Sequence, residues 1–529
     1  MFLKKDRLED VKSIIERNTG MTAEQFLKEY HMPEITNIKP AVELTKKFIK
    51  EHPECEIVCV GDYDFDGISA TSIIYWGFQK LGRCIRLRIP HRMSEGYGLS
   101  EKIIDELNDA SLVITVDNGI TAVSAIQKAK KRGMTVIVMD HHLPKFDKDG
   151  NAELPPADII VDPHIYEDEF KPVCGAALAY YFVKEMFPDA LLKPLLTLAS
   201  VATVTDVMPL VMFNRTLVKD GLAAINNGCT VPGLASLIKE KELSVITEED
   251  YGFLIGPIFN APGRLYDEGG AIGLQVLNSR RSDAELPWKV RNLVKINEKR
   301  KNIVKESMIL AESLVTEERP IVIYHPSFEE GIVGILAGHL TEKYNTPCIV
   351  FTKTAEGIYK GSGRSTEHIH LKQKLDEIQD TMLGYGGHAG AAGLSVNPDR
   401  FEEFKQAFVN AVGVQDECSS DVYYDLDITE NDIEDLAEEL QIYAPYGEGN
   451  PKPVFHIKLD LSDGDFMIMG DGTHFSISMP RYKVMGFGLL QKYREYGCPK
   501  KIDAIVYISN DWFRGVNRIK LELIDFTAL

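Results

Sequence analysis

No run of about 18 consecutive apolar residues occurs in the sequence, which argues against a membrane-spanning helix. The opening Met1-Phe2-Leu3-Lys4-Lys5-Asp6-Arg7 lacks the apolar stretch of a secretory leader, so the expectation is a cytoplasmic protein. No two cysteines form a CxxC pair; they stand alone at 55, 59, 84, 174, 229, 348, 418 and 498. That argues against a zinc ribbon and a disulfide framework, and predicts buried thiols. Positive charge is also short: 59 Lys and Arg against 79 Asp and Glu give a net −20. An acidic chain gains little long-range attraction to phosphates. Net charge alone does not settle the matter, because a narrow groove of local positive charge can bind phosphates on an acidic protein. Neither an internal repeat nor a low-complexity tract is present.

What is there is ample core material, 44% hydrophobic over 529 residues, enough for about three or four domains. Residues 1–50 read as amphipathic and helical. Then short Val- and Ile-rich runs (57–60, 85–89, 112–116, 135–139, 159–161) alternate with helix candidates at 69–81, 100–108 and 121–132. Near-continuous apolar strands separated by helices predict a parallel sheet covered on both faces, with ligands at the carboxyl ends of its strands. Residues 175–280 read as largely helical, and the polar segment 283–318 as a helix bridging two domains. A second α/β unit starts at Pro320 and runs to about 414, a linker follows at 415–420, and strand-like runs at 454–460, 473–479, 482–488, 503–508 and 517–524 predict a small β-barrel.

The chemistry concentrates at the strand ends. Asp62, Asp64 and Asp66 alternate in Gly61-Asp62-Tyr63-Asp64-Phe65-Asp66-Gly67, just past the first strand. Three carboxylates so close repel, and a hard divalent cation such as magnesium or manganese removes that penalty. A calcium loop opens similarly but needs a glycine and then a glutamate at set offsets, which Gly67-Ile68-Ser69 does not provide. A solvated acidic turn is the plain alternative. Asp117 follows the strand ending at Val116 and could equally be a helix cap. Asp140-His141-His142 follows Met139, giving imidazoles with a carboxylate to orient them. Asp206 sits in the otherwise apolar run 202–210 and wants a partner there. Together these are ligands for two divalent ions, and the chemistry implied is phosphoester or phosphoanhydride hydrolysis.

Asp140-His141-His142 is the signature of the DHH phosphoesterases, and GDYDFDG, TVDNG and TVTD resemble their other metal motifs in the same order. The segments IPHRMSEGYGLS, VMDHHLP, CGAALAY, VTDVMPL, FNAPGRL and YGGHAGAAG resemble the RecJ single-strand exonucleases within that family, over nearly the whole chain. The resemblance implies that Asp64 and Asp66 each ligate one metal, Asp117 bridges them, and His141 and Asp206 complete the second. It makes His142, with Asp117 and Asp140, the catalytic group at the scissile phosphate. Small-substrate relatives carry a histidine where Val60 stands here; the exonucleases have an aspartate such as Asp62, included in the expected metal set. The expected cofactors are two Mn2+ or Mg2+ ions.

Ser362, Arg364 and His388 lie in glycine-rich runs that resemble the DHHA1 substrate domain, where glycines admit phosphate and arginine forks its oxygens. By resemblance they hold phosphates near the 5′ end, joined by Asn260 and Arg264, while Arg92 and Tyr97 contact the strand. The expected fold is α/β: a parallel-sheet DHH domain (51–282), a connecting helix (283–318), a DHHA1 domain (319–414) and a C-terminal OB-like β-barrel (421–529), after the N-terminal segment 1–50. Phe475, Phe487, Trp512 and Phe513 are candidate stacking residues in the barrel, with core packing the alternative. The expected activity is 5′→3′ hydrolysis of single-stranded DNA to mononucleotides in recombination and repair. Single-strand-binding protein and a helicase are the expected partners of a monomer. Two other readings stay open: a phosphodiesterase of short oligonucleotides or cyclic dinucleotides, and a non-catalytic scaffold.

Overall fold

The structure, a computed structural model, describes the chain except residues 32, 148–149, 167, 414–420, 471 and 514–515 and the side chains of 512, 513 and 516. The expected linker 415–420 therefore lies outside the described residues, as do the side chains of Trp512 and Phe513.

The first sheet has five strands, all parallel, in the spatial order Arg86–Arg88, Glu56–Val60, Ala110–Val116, Thr135–Met139, Ile159–Val161. Alternate side chains go to opposite faces. Ile57, Cys59, Ile114, Ile137 and Met139 join the core under helices Ile38–Glu51, Phe65–Lys80 and Gly175–Met186. Val58, Val60, Val113, Val136 and Val138 join the core under Glu101–Glu106 and Val123–Lys131. Both faces are dry, which is why these strands are apolar without alternation. The chain winds outward in both directions from the pair Glu56–Val60 and Ala110–Val116. The crevice at their carboxyl ends is the switch point at which such sheets bind ligands.

The helix Leu286–Ser313 joins two cores. Leu286, Val290 and Leu293 belong to the first domain, and Val304 and Ala311 to the second. The second sheet is mostly antiparallel, in the order Gly384–Gly387, Ala391–Val396, Tyr359–Arg364, Cys348–Lys353, Ile321–Tyr324, with only the last two parallel. A seven-stranded mixed sheet forms the C-terminal domain, built around the long hairpin Lys501–Phe513 and Val516–Ala528. Its strand Asp465–Met469 was not expected from the sequence, because it is exposed on both sides and has no apolar alternation.

The N-terminal segment differs from a purely helical reading. Phe2–Lys4 is a strand paired in parallel with Val422–Tyr424. Val11, Ile15, Ala23 and Phe26 fill the core of the C-terminal domain, whereas Ile38–Glu51 packs on the first sheet. Arg215 rivets these parts together. It is fully buried, stacks on Phe26 (4.5 Å) and donates to the carbonyls of Ile442 and Ala444 at 3.1 and 3.0 Å.

Candidate metal centre

Asp62, Asp64 and Asp66 leave the tip of Glu56–Val60. Asp64 caps the next helix, accepting from the backbone N–H groups of Asp66 and Gly67 at 3.0 and 3.1 Å. Asp66 accepts from the N–H groups of Gly175 and Ala176 at 2.7 and 2.8 Å, so two helix N-termini converge on this acidic turn. Asp117 has φ 59, a left-handed conformation that aspartate tolerates. A Cβ at Gly175 would lie 2.6 Å from that of Asp117, so only glycine lets the helix start so close. Asn118 ties the switch point together, donating to the carbonyls of Val60 and Val116 and accepting from the N–H of Leu99.

His141 is buried, with Nε2 3.0 Å from Asp117, 3.6 Å from Asp66 and 3.6 Å from Asp206. Burial pulls it down to about 4, so it presents a neutral ring. The ring of His142 is half exposed. Burial would lower it too, but its hydrogen bond to Asp140 (2.8 Å) and that group's charge raise it to about 9. Asp140 itself accepts from the N–H groups of Ile120, His141 and His142.

Three ligand groups emerge: Asp62, Asp64 and Asp117; Asp66, His141 and Asp206; Asp117, His141 and His142. Asp117 and His141 each belong to two of them. Burial first, and neighbouring carboxylates next, push Asp62, Asp64, Asp117 and Asp206 up. Among the described residues no lysine or arginine forms an ion pair with any of them, and Asp62 Oδ1 and Asp206 Oδ2 make no hydrogen bond. Buried like charges with open oxygens fit divalent cations.

A cationic cluster faces the acidic one. Asn260 and Arg264 lie on Gly256–Leu265, and Asn260 accepts from the N–H of Phe65, beside Asp64, at 2.7 Å. Burial, then Arg92, Arg300 and Arg364, pull Arg264 down to about 10. Arg364 donates to Ser362 Oγ at 3.1 Å. A Cβ at Gly334, in the first turn of Val333–Tyr344, would stand 3.0 Å from that Oγ, so a helix N-terminus closes on the pair. A Cβ at Gly331 would overlap the carbonyl of Arg264, so the second domain docks by backbone contact.

The DHH family, N-terminal domain, matches residues 56–203; the DHHA1 domain matches 317–413; the RecJ OB domain matches 424–525. Single-stranded-DNA-specific exonuclease RecJ of Salmonella typhimurium is 34% identical over 82% of this chain and 79% of its own. That of Escherichia coli is 32% identical over the same shares. The chain belongs to the RecJ family. The crystal structure of RecJ with Mn2+ from Thermus thermophilus superposes with TM-score 0.81 at 25% identity, over 98% of this chain and 76% of that one. The RecJ fold thus extends through the C-terminal domain, as the sequence led one to expect.

The structure places the remaining candidates as follows. Asp206 is not at a strand tip: it caps the C-terminus of helix Lys193–Thr205, and the RecJ sheet has no strand there. Its neighbour Val207 has φ 55, strained for a β-branched residue, so this corner is held by tertiary contacts. Tyr97, expected to face the strand, donates its hydroxyl to the carbonyl of Asp117 at 2.6 Å and lies 3.0 Å from His142 Nδ1. Arg92 stacks on Tyr63 at 4.8 Å, in a loop fastened by Asp267, which accepts from the N–H groups of Met93 and Ser94. His388 is exposed in its hairpin, where its bonds run to Gly390 and Ala391. Phe475 is core, and Phe487 is exposed against His474. Arg300 was missed: it lies in a charged helix with no motif, and only its Asn297 support marks it as ordered.

Proposed function

We propose that this chain is a two-metal-dependent 5′→3′ exonuclease that hydrolyses single-stranded DNA to mononucleotides. The observation that carries the reading is the juxtaposition of an acidic centre and a cationic cluster: Asn260, one turn from Arg264 on the same helix, accepts from the N–H of Phe65 beside Asp64 at 2.7 Å. The acids would hold two Mn2+ or Mg2+ ions: Asp62, Asp64, Asp66, Asp117, His141 and Asp206 are the ligand set. Bound there, such ions clamp a phosphate, lower the pKa of water and stabilise the leaving oxygen.

This chain's own residues supply the rest. Neutral His141 offers a lone pair at Nε2. His142 donates from Nδ1 to Asp140, which leaves Nε2 to present a proton to a phosphate oxygen. Tyr97 steadies that ring. Ser362, Arg364, Arg264 and Arg300 grip a terminal phosphate, with Asn260, Arg92 and His388 along the strand. A terminal phosphate held beside the acids limits each cut to the chain end, which gives exonuclease action and 5′ polarity.

The proposed domain division is 51–282, 283–318, 319–414 and 421–529, with the last holding the strand; the expected first span, 1–50, is shared, its start packing with the last domain and Ile38–Glu51 with the first. No helix among the described residues is long and apolar enough to cross a membrane. The reading extends to a cytoplasmic monomer acting in recombination and repair beside a single-strand-binding protein and a helicase. The test uses single-stranded DNA labelled at either end, with Mn2+, Mg2+ or chelator, and Asp117→Ala beside the wild type. Mononucleotides released first from the 5′ end, with metal and from the wild type alone, support it; cleavage of dinucleotides only refutes it.

A further inference from the structure

The helix carrying Asn260 and Arg264 does not begin at Gly256. It continues from a π-helical turn, Tyr251–Ile255, with no break in right-handed backbone. Such turns are rare and accumulate at functional sites. Within the α-helical part Pro257, Asn260 and Arg264 follow one another by steps of three and four and so share one face, and Phe253 lies about one turn before Pro257 across the wider π turn, next to that face. Asn260 fixes where that face points: its side chain meets the backbone beside Asp64. Phe253 stands next to that face about 10 Å along the axis.

Phe253 is 85% exposed and makes no ring contact among the described residues. Its surroundings place it on a path. Gly252 and Gly256 pack against Val204 and Thr205, which lead directly into Asp206. Glu249, one turn before Phe253, pairs with Lys452 and Lys520 of the C-terminal domain. The ring therefore stands between a metal ligand and the domain proposed to hold the strand.

We propose that Phe253 is a base-stacking residue for the single strand, taking the face of a nucleobase a short way 3′ of the scissile phosphate. The proposal rests on the exonuclease reading above. Stacking tolerates any sequence, because every base has a π-face. Bases within a duplex are already paired and stacked, so the contact also favours single strands.

The ring's exposure makes substitution safe for folding. The experiment measures kcat and KM of wild type, Phe253→Ala, Phe253→Leu and Phe253→Tyr on a 5′-phosphorylated oligonucleotide and on a dinucleotide. Binding is followed separately by the fluorescence quenching that Phe253→Trp adds in the Asp117→Ala background. Phe253→Ala should raise KM on the oligonucleotide by about tenfold with little change in kcat, and the loss should shrink on the dinucleotide. Tyrosine should restore KM, leucine should not, and DNA should quench the tryptophan. An alanine variant equal to wild type, rescue by leucine as full as by tyrosine, or an equal loss on both substrates overturns the proposal while the exonuclease reading stands. A wild type inert on single-stranded DNA overturns that reading and this inference with it.

Discussion

The first two sheets of this protein are both α/β, yet they bring opposite charges to one cleft. The parallel sheet gathers carboxylates at its switch point, and their burial pushes Asp62, Asp117 and Asp206 up. The mostly antiparallel sheet brings Arg364 against Arg264, and burial pulls both down. In each lobe the charged form is destabilised by the fold itself. Such strain is tolerated where a ligand of opposite charge relieves it: cations for the acids, phosphate for the arginines.

The comparison breaks most sharply at Asp117, which belongs to two of the three ligand groups. Asp117→Ala should lower kcat by about 10⁴-fold or more, while circular dichroism stays native. The cationic half should act on binding instead. Arg364→Gln should raise KM for 5′-phosphorylated DNA by about 10- to 100-fold, and removing the 5′-phosphate should erase the difference between variant and wild type. An equal loss on both substrates would place Arg364 outside the phosphate site.

The docking of the halves is tested at Gly331, whose Cβ would strike the Arg264 carbonyl. Gly331→Ala should cost about 1–3 kcal/mol of stability and lower kcat/KM about tenfold. Unchanged values in thermal melts and steady-state kinetics would mean that the lobes need not touch there.

The smallest effect concerns the metal-free acids. In the folded chain Asp62, Asp64, Asp117 and Asp206 are raised above the ordinary carboxylate value of 3.8, so it binds more protons than the unfolded one above that pH. Stability of the metal-free protein should therefore fall as pH rises from about 4 through the raised values. Mn2+ replaces those protons. Its upward shift of Tm should grow by a few degrees from about pH 5 to about pH 8. A shift independent of pH would mean that the acids are not the ligands.

Local patterns made much of this readable. Strands buried on both faces must be apolar throughout, so 135–139 and 159–161 were legible to the residue. Asp62, Asp117, His141 and His142 stand within three residues of a strand end, and Asp64 and Asp66 open the helix that follows the first strand, so sequence position and spatial position coincide. Asp206 was legible only as an aspartate in an apolar run, because a buried helix end and a strand end give the same local pattern. Arg300 and Phe253 had no local pattern at all. One lies in a charged helix, and the other is a single aromatic among ordinary helical residues.

The sequence by itself determined which chemistry is on offer: carboxylates crowded beside strand ends repel one another unless a cation joins them, and the imidazoles next to them add neutral or proton-donating groups. Only the tertiary structure decided how these parts meet. Asp206 reaches His141 across 65 residues, Arg264 meets Gly331 across 67, and Phe2 pairs with Val422 from the far end of the chain. Such contacts are set by the packing of whole domains, in which shape and buried area count, and no spacing along the chain records them.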